Sequence, residues 1–128
     1  MADGNLQGPI QDIGQVAHTD SNATVVCSIT LPSGVDGIYH VMARFGCITA
    51  TGTNDCVGLL QRLVRVDGGS AVLMVGQTLD LANMQSTGYT VAFTTSGSDV
   101  RLSLTAASGI RSVGMIEAFG VEMALTIG

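Results

Sequence analysis

Apolar and polar residues alternate with a period of two along most of this chain, the spacing of strands with one covered face. Val100, Leu102 and Leu104 alternate with Arg101, Ser103 and Thr105, and Tyr89, Val91 and Phe93 alternate with Thr90, Ala92 and Thr94. Residues 23–31 place Ala23, Val25, Cys27, Ile29 and Leu31 on one face and Thr24, Val26, Ser28 and Thr30 on the other. Residues 38–49 place Tyr39, Val41, Ala43, Phe45 and Cys47 together; the opposite face, Ile38, His40, Met42 and Arg44, is only half polar. A strand with two apolar faces sits centrally in a sheet or at a subunit contact. The longest pattern is in residues 112–127, with Val113, Met115, Phe119, Val121, Met123, Leu125 and Ile127 on one parity. Glu117 shares that parity and breaks the pattern. Either a bulge near Gly114 or Gly120 resets the register, or Glu117 is buried beside a partner such as Arg44 or Arg111.

Turn chemistry separates these runs. Residues 56–76 form two apolar arms around Asp67-Gly68-Gly69, residues that tolerate the positive φ of a tight hairpin. Arg62 and Arg65 interrupt the first arm, whereas Ala71 to Val75 run together and predict a strand covered on both faces. Ser96-Gly97-Ser98 and Ala107-Ser108-Gly109 mark further turns, and residues 32–37 and 50–55 mark loops. Residues 77–86 predict a loop with a short strand. Residues 1–22 hold few periodic apolar positions (Leu6, Ile10, Ile13 and Val16) and predict an extended arm, either frayed or docked on a neighbour. The sum is seven or eight strands and essentially no helix. The expected fold is all-β: a single jelly-roll-like antiparallel β-sandwich over residues 23–128, with a short extended N-terminal arm over residues 1–22.

Composition changes this picture in one respect. Charged residues are 12% of the 128, about half the usual share, and there is no lysine. The cations are Arg44, Arg62, Arg65, Arg101 and Arg111, and the net charge is −5, which argues against nucleic acid or an anionic membrane as partner. The uncharged runs are rich in Thr, Ser, Gln and Asn, so none reads as a membrane helix. The first residues, MADGNLQGPIQD, lack the basic start and apolar core of a secretory signal. A surface so poor in charge predicts burial against other subunits. Without lysine the edge strands lack their usual protection, and closure or oligomer contact supplies it instead. Cys27, Cys47 and Cys56 are an odd number and read as reduced thiols, with a Cys47–Cys56 disulfide as the alternative.

No chemistry stands out. His18 and His40 are the only imidazoles, far apart in sequence, and no H-x-H or C-x-x-C pattern occurs. No elbow motif marks a nucleophile, and Asp67-Gly68-Gly69 reads as a turn and not as a phosphate or calcium loop. Aromatic residues are 4% with no Trp, which weakens sugar stacking and base stacking. The expectation is no catalytic, cofactor-binding or metal residues, no cofactor, and no enzyme activity.

Three segments in order resemble small jelly-roll domains of tailed-phage virion proteins. They are Gly37-Ile38-Tyr39-His40-Val41-Met42-Ala43-Arg44, then Arg65 to Gly76 (RVDGGSAVLMVG), then Thr90 to Phe93 with Ser96 to Leu104. The pattern tends to carry Arg-Trp near its end, where this chain has Arg111-Ser112. The resemblance covers about residues 23 to 127. It implies a β-sandwich, often trimeric, in a structural part of the virion that is assembled in the host cytoplasm. A short arm and little else beside the domain favour a homotrimeric head decoration or cement protein, with the major capsid protein as partner. The alternative is a tail-fibre or tail-tip receptor-binding module. A cytokine-like trimeric binding module is a further alternative, but would need a secretory signal.

Overall fold

The computed structural model describes residues 4–34, 36–48, 56–74, 78–84, 90–106 and 109–123. Nine antiparallel strands fill them: β1 (Gly4–Ala17), β2 (Ala23–Thr30), β3 (Gly37–Ile48), β4 (Cys56–Asp67), β5 (Ser70–Leu73), β6 (Thr78–Met84), β7 (Thr90–Ser96), β8 (Asp99–Thr105) and β9 (Arg111–Met123). The expected loop at residues 50–55 and the residues Val75, Tyr89, Leu125 and Ile127 lie outside the described set.

The strands form a β-sandwich. One sheet has six strands in the order β1-β9-β3-β4-β5, with β6 also on β4; the other has three, β2-β8-β7. The non-consecutive neighbours β1–β9–β3 lie within the larger sheet and β2–β8 within the smaller, so the chain crosses between the sheets, while β3–β4, β4–β5 and β7–β8 are hairpins within one sheet. Residues 4–17 are extended, but within the sheet and not as an arm beside it. That extended chain is an edge strand of the larger sheet, paired with β9 from Gly4↔Met123 to Ala17↔Arg111.

The predicted turns form where their glycines stand. Gly68 and Gly69 have φ of 62° and 85°, the two positive values a two-residue hairpin loop with matching twist demands. Gly97, at φ 57°, starts the β7–β8 turn. The β5 arm departs from expectation: Ala71 is buried but Val72 is exposed, because β5 is a short edge strand with one covered face.

The inner faces hold Tyr39, Val41, Ala43, Phe45 and Cys47 from β3 and Val100, Leu102 and Leu104 from β8, as their alternation predicts. Two other strands differ. In β2 the pairing with β8 shifts between Val25 and Cys27, so Val26 turns inward and Val25 is left exposed. One extra residue changes the facing of everything before it. In β9 the buried set is Ser112, Gly114, Ile116, Ala118 and Gly120. The larger residues Val113, Met115, Glu117 and Phe119 point outward, the reverse of what the hydrophobic pattern predicts. No bulge interrupts β9 along β3; the only shift is on β1, between Gln7 and Ile10.

The cause is the distance between the sheets. A Cβ on Gly14 of β1 would be driven into the Val26 carbonyl oxygen. One on Gly114 of β9 would lie 2.8 Å from Leu102 Cδ2 and 3.2 Å from Val26 Cγ1. The sheets approach so closely along this seam, at Gly14 and Gly114, that a side chain does not fit there. Asp12 helps to close it, accepting a hydrogen bond at 3.1 Å from the Ser28 N–H. The opposite side is closed by a main-chain bond from Ala71 N–H to Gly97 O (2.8 Å), while Leu31 N–H to Ser98 O (3.0 Å) extends the β2–β8 ladder. At the rim of the larger sheet, β5 covers Val64–Asp67 of β4 and β6 covers Cys56–Gln61. Between them the Arg62 Nε–H donates to Met74 O at 2.6 Å, and the Met74 N–H donates to Leu63 O at 2.9 Å.

Candidate functional site

Three places hold unusual groupings of side chains: the outer face of each sheet, and one polar cluster inside.

The outer face of the six-stranded sheet is the apolar one. Of the nine large apolar side chains exposed among the described residues, eight lie here: Ile13, Ile38, Ile48, Val57, Leu63, Val72, Val113 and Phe119. The registers arrange them in levels. Val113, Gly46 and Val57 lie level with one another; next come Ile13, Met115, Arg44 and Leu59. A polar belt of Gln11, Glu117, Met42 and Gln61 follows, and then Phe119, His40 and Leu63. Gly46 has no side chain, so the surface sinks between Val57 and Val113 into an open groove of about 300 Å³, also bordered by Ile13, Arg44 and Met115. His40, an expected structural imidazole, is hydrogen-bonded through Nε2 to Gln61 Oε1 at 2.9 Å beside the belt. Glu117 lies in the belt, half-buried on the outer surface and not in the core. Neither Glu117 nor Arg44 makes an ion pair among the described residues; Arg65 pairs with Asp67 at 3.7 Å and Arg101 with Asp99 at 4.0 Å.

The outer face of the three-stranded sheet carries hydroxyl and charged groups. Ser28, Arg101 and Thr94 share one level, and Thr30, Asp99 and Ser96 the next. Thr30 Oγ1 donates to Asp99 Oδ1 at 2.6 Å, and Thr94 Oγ1 lies 3.4 Å from Ser103 Oγ. These groups partner one another across the strands, the ordinary finish of a solvated sheet.

The inner cluster joins His18, Ser112 and Cys47. His18 Nε2 is 2.7 Å from Ser112 Oγ, which is 3.3 Å from Cys47 Sγ. All three are almost fully buried, at 2%, 1% and 0% exposure. The His18 main chain is also pinned: its N–H donates to Ile110 O and its carbonyl accepts from the Gly109 N–H, both at 2.8 Å. A serine beside an imidazole invites a nucleophilic reading, but His18 Nδ1 has no hydrogen-bond partner among the described residues. Without a third group the ring is not oriented as a triad requires, and the hydroxyl is sealed from any substrate. The cluster acts as a polar pin that ties the end of β1 to the start of β9. Sequence reading missed it because its members are 94 residues apart.

Cys47 lies opposite Cys56 in the β3–β4 register, yet its thiol is free, as is that of Cys27. The Cys27 thiol is pushed up from 9.0 to about 11, first by burial and then by the nearby Asp12 carboxylate, against a backbone hydrogen bond involving Ile116. It is an inert, apolar filler of the seam. Asp67-Gly68-Gly69 is a hairpin turn whose Gly68 N–H donates to Asp36 Oδ1 at 3.1 Å. Among the described residues no three His, Cys, Asp or Glu side chains gather as a metal site, and no helix is long and apolar enough to cross a membrane.

No family model and no curated protein matches the chain. Among solved structures it is similar to the tailspike protein of Acinetobacter baumannii phage AM24, at 12% identity and a TM-score of 0.48, over 93% of this chain and 27% of that one. It is also similar to the tailspike protein of Acinetobacter phage vB_ApiP_P1, at 25% identity and a TM-score of 0.39, over 94% and 24%. The chain thus spans about a quarter of the length of each.

Proposed function

We propose that this chain is a non-catalytic structural module of a tailed-phage virion, placed in the tail as a fibre or tip domain and working as a homo-oligomer, with a trimer as the expected order. The observation that carries this is the way the family-like segments fall on the structure. Tyr39, Val41 and Ala43 supply the inner face of β3, Gly68 and Gly69 make the β4–β5 turn, and Val100, Leu102 and Leu104 supply the inner face of β8. The segments form strands and turns of one sandwich, with these apolar residues inside it.

A tail position is favoured over head decoration for a structural reason. The decoration reading leaned on a free arm that could dock on a shell and so bring in the major capsid protein as partner. Residues 4–17 are instead held in the sheet against β9. Strand pairing of that length is not given up cheaply for an outside partner.

Immunogold labelling of purified virions tests the reading. Label at the tail fibres or tip is the expected result. Label over the head would restore decoration, and virions free of the protein would sink both placements.

A further inference from the structure

We infer that the outer face of the six-stranded sheet is where copies of this chain meet, this face of each copy packing against the next copy. This deepens the oligomeric part of the proposal above and rests on it; it does not depend on where in the virion the protein sits.

Area is the first argument. The exposed apolar side chains of this face, by their fractional exposures, present roughly 700 Å², close to the about 800 Å² that one partner contributes to a standard interface. The outer face of the smaller sheet has only Val25 among the large exposed apolar residues. An oligomer contact resembles a divided core, apolar with few charges. Among the described residues, the larger sheet is the one that offers such a face.

Charge is the second argument, and it specifies a copy of the same chain. Near the middle of the face stand one cation and one anion, Arg44 on β3 and Glu117 on β9, two residues out of register with each other. Neither is ion-paired among the described residues. Glu117 is already half-buried in the free chain, so an apolar partner would strand it without water or a counter-charge. An acidic partner would satisfy Arg44 and repel Glu117, and a basic one the reverse. A second copy brings one of each, so that Arg44 of one copy can meet Glu117 of the next, in a ring about a three-fold axis or reciprocally across a two-fold. The groove at Gly46 adds shape: it is open and apolar, and large apolar side chains such as Phe119 stand half-exposed on the same face.

Light scattering and sedimentation equilibrium on the full chain test this. The wild type should form a closed oligomer. Val113→Asp and Val57→Asp should weaken association by about a hundredfold or more. Both positions are already exposed, so far-UV circular dichroism should show the fold retained. Arg44→Glu and Glu117→Arg should each weaken association about tenfold, and the double exchange should restore it. Thr94→Asp, on the outer face of the other sheet, should leave the mass unchanged. A wild type that stays monomeric at every concentration overturns the inference. So does an oligomer whose mass is indifferent to Val113→Asp, Val57→Asp and the charge exchange. Scattering is blind to virion placement and immunogold labelling is blind to the subunit contact, so either reading can fail while the other stands.

Discussion

The two sides of β9 differ in size in the opposite sense to those of β8. Inside, β9 presents Ser112, Gly114, Ile116, Ala118 and Gly120; outside it presents Val113, Met115, Glu117 and Phe119. The side packed in the core is the smaller and, by side chain alone, the less hydrophobic. The side in water carries the bulk. Such an inversion is stable only because different quantities are satisfied on each side. Inside, the limit is the space between β9 and the smaller sheet, and burial is gained by backbone and β-carbon against Val26 and Leu102. Outside, no facing layer limits size, and large apolar residues stand in an exposed patch. The lesson is that burial follows from the gap between layers as well as from the hydrophobicity of the residue offered to it.

Substitutions can break or sharpen this contrast. The largest effect is expected at Gly114, where valine would force branched carbons into Leu102 and Val26. Gly114→Val should cost about 3 kcal/mol or more in urea unfolding, and a tolerated valine would mean that β9 faces the other way.

The next effect is on pH. Cys27 lies under Gly114, whose Cβ would come 3.5 Å from its sulfur. Its folded value of about 11 exceeds its ordinary 9.0, so the folded state holds the thiol proton after the unfolded chain has released it. Stability is therefore intact below pH 9 and should decline by about 2–3 kcal/mol between pH 9 and pH 11. Cys27→Ala should flatten that part of the pH profile; a decline that survives the substitution would mean another group is responsible.

Smaller still is Ser112→Ala. It removes the only described partner of His18 Nε2 while leaving the ring buried, and should cost about 1–2 kcal/mol by the same unfolding measurement. The smallest is on the outer side. Phe119→Ser should change the stability of the dissociated chain by no more than about 0.5 kcal/mol in dilute thermal melts, whatever it does to association.

Much of the fold was legible in the sequence. Asp67-Gly68-Gly69 and Ser96-Gly97-Ser98 mark their turns because positive φ selects glycine so strongly. β3 and β8 read correctly because each sets large apolar residues on its inner side. β9 misled because its inner residues are small, and a small residue carries little weight in a hydrophobic pattern. The signal was still there: Ser112, Gly114, Ala118 and Gly120 recur at even positions, which in a strand points to close approach on that face. At β2 nothing in ATVVCSIT marks which residue bulges, since the choice depends on the register with β8. The apolar outer face was half legible, through the mixed side of Ile38 to Arg44. The His18–Ser112 pin was not, because no local pattern links residues that only the sandwich brings together.

The divided rim beyond β4 also bears on how the protein avoids fibres. With no lysine to repel an incoming strand, a long open edge would template endless addition of neighbours. Here that edge is split into β5, four residues long, and β6, seven, with Arg62 holding Met74 in the break. A visiting strand would find a ladder that ends before it can grip. On this side of the sheet, therefore, no single edge strand runs longer than seven residues.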